Sequence, residues 1–243
     1  MGSVVVRHWV ISRRVGAAAA AAVLAATGLG YAIASPADQA APPEPAAAPA
    51  LTPRADAPPP GPVVHPVTAA ELGETWRPGC PVGPEDLRRV DLDYLGPDGG
   101  VHRGSLVVHR DYVEDVVAIF ATLQQIGYPI AKMQTVDRYP GAEDELSMRD
   151  NNTSAFNCRP LPGNTGWSLH AYGRAIDVNP LVNPFIDDAG DLQPQTAGRY
   201  LDRGLADPAM LKAGDPAVRA FTDRGWRWGG AWRNPVDYQH FEI

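Results

Sequence analysis

The 243-residue chain has little cysteine and no excess of positive charge. Its 28 acidic side chains outnumber 21 basic ones, for a net charge of −7. The first 34 residues carry Arg7, Arg13 and Arg14 and no acid, which leaves about −10 for the rest. A body of that charge has no electrostatic hold on a phosphate backbone, so nucleic acid is excluded as a partner. No internal repeat is present, and a hydrophobic content of 44% excludes wholesale disorder. The 24 Gly and 25 Pro instead predict a loop-rich fold beside an unstructured segment. With only Cys80 and Cys158 to pair, a single bridge is expected in an oxidising compartment, and two buried thiols are the alternative.

Residues 1–34 read as an export segment. A basic head ends in Arg13-Arg14, Val15 to Ala34 run for twenty residues without a charge, and Ala32-Ile33-Ala34 fits a small-residue cleavage site. The run is long enough to span a bilayer, so an uncleaved anchor through residues 15–34 is the alternative, but its Ala and Gly give it little drive to stay in lipid. The arginine pair hints weakly at export of a folded protein, and no Cys stands where a lipoprotein would need one. Residues 35–66 are dominated by Ala and Pro, with Pro58-Pro59-Pro60 at the centre, and read as an extended spacer. The folded unit is therefore expected over residues 67–243, outside the cell or in its wall.

Within that unit Val90, Leu92 and Tyr94 alternate with charges, Gly96-Pro97-Asp98-Gly99-Gly100 supplies a turn, and Ser105 to Val108 form a second apolar run. That predicts a strand, a turn and a strand. Asp111 followed by Glu114 reads as a helix cap, and Val113, Val116, Val117, Phe120 and Leu123 recur at helical spacing until Gly127. A shorter helix is expected to begin at Asp215-Pro216 and stop at Gly225, with strands at Ala175 to Val178 and at Tyr238 to Ile243. Helices and strands mix without βαβ alternation, so the class is α+β with a mainly antiparallel sheet.

The chemistry lies in two stretches. In the first, Ser168 can cap a helical turn that Gly173 ends, which fixes His170; the strand that follows turns Asp177 away from the apolar Ile176 and Val178. A carboxylate between apolar neighbours needs a positive partner, either a metal or Arg174. The second stretch runs Gly225-Trp226-Arg227-Trp228-Gly229-Gly230-Ala231-Trp232 and then Asp237-Tyr238-Gln239-His240-Phe241-Glu242.

Together they resemble the D-alanyl-D-alanine carboxypeptidase and L-alanyl-D-glutamate peptidase family of zinc peptidases, through Ser-x-His-x-x-Gly-x-Ala-x-Asp followed by acid-x-x-His. The likeness extends less sharply over residues 80–243 and includes Asn151-Asn152-Thr153-Ser154-Ala155-Phe156-Asn157-Cys158-Arg159. It implies a small α+β fold of the hedgehog/DD-peptidase kind with zinc on an antiparallel sheet. It further implies His170, Asp177 and His240 as zinc ligands, Asp237 as general base, and a peptidoglycan stem peptide as substrate for a secreted monomer. The substrate clamp is assigned to Arg138, with Arg159 next, and Ser168 to capping and substrate contact. Members more often carry Glu as base, and the shorter acid points towards the L-alanyl-D-glutamate branch.

Two neutral imidazoles and one carboxylate leave a dication able to acidify water, with a position open for substrate. A regular strand would, however, turn residues three apart to opposite faces, so Asp237 is expected in a turn set by Asn234-Pro235, and Glu242 is its rival or a partner orienting an imidazole. Trp226, Trp228, Trp232 and Tyr172 read as core or groove wall, and His102 and His109 as surface or packing residues. The same ligands suit a non-haem iron enzyme less well by spacing, and a non-catalytic wall-binding module is the remaining alternative.

Overall fold

The computed structural model describes residues 61–161 and 166–243. The segment read as an export signal, and most of the spacer, lie outside the described residues. Val63–Pro66, placed in the spacer from sequence, form an edge strand, β1, antiparallel to the next strand. A proline is tolerated there because an edge strand has backbone groups with no ladder partner to lose. A one-turn helix α1 (Ala69–Leu72) follows, with Thr68 and Glu71 bonding each other's backbone N–H groups in a capping box.

The predicted hairpin is present as β2 (Leu87–Leu95) and β3 (Val101–His109). At its turn Asp98 Oδ1 accepts from Gly100 N at 3.0 Å, and Gly99 takes a φ of +77°. Register pairs Val90 with Leu106, so period-2 alternation gathers Val90, Leu92, Tyr94, Leu106 and Val108 on one buried face. The opposite face carries ion pairs such as Arg89–Asp91 at 2.8 Å and Arg103–Asp93 at 2.9 Å. Helix α2 (Val113–Gln125) covers the apolar face with Val116, Ile119, Phe120 and Leu123, each of which contributes about 2 kcal/mol by leaving water. Its cap differs from the sequence reading. A 3-10 turn over Arg110–Tyr112 precedes the helix, and the His109 ring accepts from Asp111 N, so the imidazole performs the role expected of the Asp111 carboxylate.

The remaining elements are short. Strand β4 (Lys132–Met133) pairs with β5 (Asn152–Thr153), the one parallel ladder among the described residues, and α3 (Asp144–Arg149) lies between them in sequence. Strand β6 (Ala175–Asp177) comes next, then β7 (Phe185–Ile186), β8 (Leu192–Gln193) and helix α4 (Pro216–Thr222) with Asp215 ahead of its first-turn proline. The chain ends with β9 (Arg227–Trp228), β10 (Val236–Asp237) and β11 (His240–Glu242). Two antiparallel sheets result, ordered β6-β11-β9 and β10-β7-β8. The class is α+β with small antiparallel sheets, and among the described residues no helix is long and apolar enough to cross a membrane.

Residues 154–156 join the hairpin sheet to the β6 sheet. Phe156 N donates to Val107 O at 3.0 Å on one side, and Ser154 exchanges backbone bonds with Asp177 on the other. Below this seam a second core gathers Leu72, Leu87, Val107, Phe156 and Ala171 around the Cys80–Cys158 disulfide. That bridge spans 78 residues of sequence, and closing so long a loop in the unfolded chain contributes about 4 kcal/mol in the chain-entropy account. Replacing both cysteines by serine is expected to lower the unfolding free energy by about that amount, as read from urea denaturation. A loss under about 1 kcal/mol would show that the seam is held by packing alone.

Candidate metal centre

His170 sits on a 3-10 turn, Leu169–Tyr172, whose start and end are both fixed by sequence. Ser168 Oγ accepts from His170 N at 3.3 Å, and Gly173 closes the turn in the left-handed region at φ +66°. Only glycine fits there on a second count, because a Cβ would meet His109 N at 2.5 Å, where Gly173 O accepts that same N–H. The imidazole Nδ1 lies 2.5 Å from Ala155 O. A carbonyl only accepts, so Nδ1 carries the proton and Nε2 presents its lone pair inward.

Asp177 ends β6, directly opposite His240 of β11 in the antiparallel register. Ile176 and Val178 point into the core while the carboxylate emerges on the other face, as alternation requires. His240 turns Nε2 to Glu242 Oε2 at 3.2 Å, and Glu242 is anchored by Arg227 at 2.5 Å. Nε2 therefore donates outward and Nδ1 faces in. Three inward groups meet: His170 Nε2 is 3.1 Å from Asp177 Oδ2, His240 Nδ1 is 3.0 Å from Asp177 Oδ1, and the two ring nitrogens are 3.2 Å apart. Each residue is buried, and their ligand atoms all lie within 4.8 Å of one another. Arg174, the alternative partner for Asp177, instead lies over the Tyr112 ring at 5.5 Å, because three residues along a strand put it on the other face.

Asp237 comes from β10, which belongs to the neighbouring sheet through Phe185 and Ile186. The chain then breaks at Tyr238 and Gln239 before it enters β11. That break resolves the facing problem. Asp237 occupies a short strand rather than the turn expected from Asn234-Pro235, and no single regular strand links it to His240. Its Oδ1 is shut off from solvent with no hydrogen-bond partner, although the residue as a whole keeps some exposure. Burial pushes its carboxyl up to about 7, the nearby Asp177 adds to this, and His240, His170 and Arg159 oppose it. Burial also works against the Asp177 carboxylate, yet the two imidazoles hold it well below the usual range. His240 is driven up to about 10 by Asp177, Glu242 and Asp237 against its own burial.

The carboxylates draw positive charge to this point: the imidazoles stabilise Asp177, the acids raise His240, and Asp237 is left raised by burial. The donor set, two imidazole nitrogens and a carboxylate aimed at a common point beside an orphaned acid oxygen, fits a divalent cation of the zinc type. Residues 162–243 match the model of a family described as D-alanyl-D-alanine carboxypeptidase. The match covers the C-terminal third of the chain and supports the likeness to zinc peptidases that its motifs carry. No curated protein and no solved structure matches the chain. The match contains His170, Asp177, Asp237 and His240 and supports, at the general level, a metallopeptidase-type hydrolase acting on peptidoglycan, while Cys80, Arg138 and Arg159 lie outside it.

The other expected site residues divide. Ser168 is 4% exposed and its Oγ is used by the cap, which leaves it no surface to offer a substrate. The Arg138 side chain is 63% exposed, has Asp137 at 3.9 Å, and lines a cavity of about 510 Å³ with His65, Arg89 and Asp91. None of His170, Asp177, Asp237 and His240 lines that cavity. Arg159, the second choice, is the arginine whose charge reaches Asp237. It is ion-paired to Asp144, which Asn157 Nδ2 holds in turn at 2.7 Å. Trp226 and Trp228 are core, and Trp232 stands partly exposed with its ring 5.6 Å from that of His240. His102 and His109 serve surface and capping bonds. Sequence reasoning missed the Ala155 carbonyl, which has no side-chain signature, and Gly229, whose absent Cβ would meet Asp237 O at 2.7 Å and Asp237 Cβ at 2.9 Å.

Gly173→Ala is expected to destabilise the fold by about 2 kcal/mol or more, since it combines a left-handed backbone with a backbone clash. It should weaken divalent-metal binding in parallel by displacing the His170 turn. Urea unfolding and metal titration check both; an unchanged metal affinity would show that the turn does not fix the ligand.

Proposed function

We propose that this protein is a secreted zinc peptidase that hydrolyses a peptide bond in peptidoglycan stem peptides, either L-alanyl-D-glutamate or the terminal D-Ala-D-Ala. The observation that carries the reading is the convergence of three buried ligand atoms within 4.8 Å beside the partnerless Asp237 oxygen. His170 through Nε2, Asp177 through its carboxylate and His240 through Nδ1 would hold the ion. Bound there, zinc supplies Lewis acidity to a substrate carbonyl and to water. The antiparallel β6-β11 ladder with its three ligands supports a fold of the hedgehog/DD-peptidase kind. The export segment and spacer would deliver the domain to the wall as a monomer and hold it off the membrane.

The protein's own groups have separable tasks. Asp237 Oδ1, out of solvent and unpaired, is placed to take the proton of the attacking water and pass it to the leaving amine. Ala155 O and Glu242 fix the two imidazole tautomers, so neither ring is free to rotate its lone pair away. Arg159, ion-paired to Asp144, which Asn157 holds in turn, would take the clamp role in place of Arg138 and receive a carboxylate of the stem peptide. Trp232 forms an apolar wall beside His240.

Asp237→Asn is expected to keep the fold and one zinc per chain while hydrolysis of purified muropeptides falls by about 10²-fold or more, followed by mass spectrometry. If the variant retains every wall-directed effect of the parent, the protein is a binding module rather than an enzyme. Arg159→Ala is expected to cut kcat/KM by about 10- to 100-fold, the worth of one charged hydrogen bond, and Arg138→Ala to change it less than about twofold. The reverse order would return the clamp to Arg138.

A further inference from the structure

Arg203 lies outside every motif read from the sequence, yet it makes more specific contacts than any arginine at the metal centre. Its Nη1 donates to Val182 O at 2.8 Å and Tyr200 O at 3.3 Å, and its Nη2 to Asn183 Oδ1 at 3.0 Å and Leu211 O at 2.9 Å. The guanidinium plane also covers the Tyr238 ring at 4.1 Å. Among the described residues no carboxylate forms an ion pair with it. A half-buried cation spent on neutral carbonyls and a ring contributes geometry more than Coulomb energy.

What it touches are the two chain segments that leave the metal centre. Tyr238 is the first residue of the break between Asp237 and His240. Its N–H donates to Pro184 O at 3.2 Å and its carbonyl accepts from Trp228 Nε1 at 2.9 Å. Asn183 is fully buried and donates to Val178 O at 3.2 Å, one residue past Asp177. One planar fork thus ties the strand of the Asp177 ligand to the connection between the base and the His240 ligand.

We infer that Arg203 is a positioning residue that sets the distance between Asp237 and the metal centre by clamping Tyr238 against the loop after β6. The inference rests on the peptidase reading for its effect on rate, but not for its effect on structure. Arg203→Lys keeps the charge and loses the fork. In full-length zinc-loaded protein it is expected to lower kcat by about 10- to 100-fold, as a misplacement on the scale of 1 Å would, with KM changed less than about threefold and one zinc still bound. In the metal-free protein, hydrogen exchange at the Tyr238 amide should quicken while the β2 and β3 amides keep their protection. Tyr238→Leu should reproduce both effects, and the double variant should be no worse than either single one.

Unchanged kcat per folded molecule, additive losses in the double variant, or a uniform loss of protection would each overturn the inference, the last by making Arg203 a general staple. If Arg203→Lys does not fold, Tyr238→Leu alone decides by the same readouts. Should the parent protein hydrolyse no stem peptide, the peptidase reading fails, and the Tyr238 exchange rate still decides whether Arg203 positions the break.

Discussion

The constraint on which the site depends is electrostatic. Asp177, Asp237 and Glu242 bring three carboxylates to two imidazoles in a largely buried space, and both rings are wired to present lone pairs to the same point. Groups so arranged repel one another unless positive charge sits among them. In the protein alone, the raised His240 and the depressed Asp177 show protons and imidazolium charge filling that demand in part. Asp237 Oδ1 has no hydrogen-bond partner, and burial raises its carboxyl against the opposing pull of His240, His170 and Arg159. The fold must therefore hold three carboxylates and two imidazoles in one place.

It does so with backbone rather than with side chains. One ladder step between β6 and β11 sets Asp177 opposite His240. The Ser154–Asp177 bridge and the Phe156–Val107 bond lock the seam from which Ala155 O reaches His170. Apolar burial anchors that seam on both sides: the α2 face packs on the hairpin, and the disulfide core lies around Phe156 and Ala171. Phe241, next to His240, stacks on Phe221 of α4 at 3.8 Å. Each ligand is thus one residue away from a fully buried apolar neighbour, and a shift that relaxed the charge cluster would also pull Ile176 or Phe241 out of the core.

What could be read in advance followed from periodicity and local chemistry. Alternation located the β2–β3 hairpin and the two faces of β6, and helical spacing located the buried face of α2. Ser168 and Gly173 marked the His170 turn because capping and left-handed backbone are properties of single residues. The His109 cap escaped because imidazole is an unusual cap that competes with a better-looking Asp111. β1 escaped because Val63–Pro66 is short and ends in the proline that dominates the spacer before it. Nothing in the sequence separates Arg138 from Arg159 as the clamp, whereas the reach of the Arg159 charge to Asp237 and its pairing with Asp144 are properties of the fold that no spacing rule encodes. The metal set was legible through a family pattern; the tautomers that make it work depend on a backbone carbonyl and were not.

The break at Tyr238–Gln239 shows how Asp237 and His240 can stand three residues apart and still act on each other electrostatically. A continuous strand would have sent them to opposite faces, so the chain changes sheets between them. Changing sheets releases two residues from regular ladders, and each recovers its bonds elsewhere: Tyr238 through Pro184 and Trp228, Gln239 O through Val178 N at 2.9 Å. Gly229 then closes on Asp237 from behind, near enough that its missing Cβ is the space the Asp237 backbone occupies.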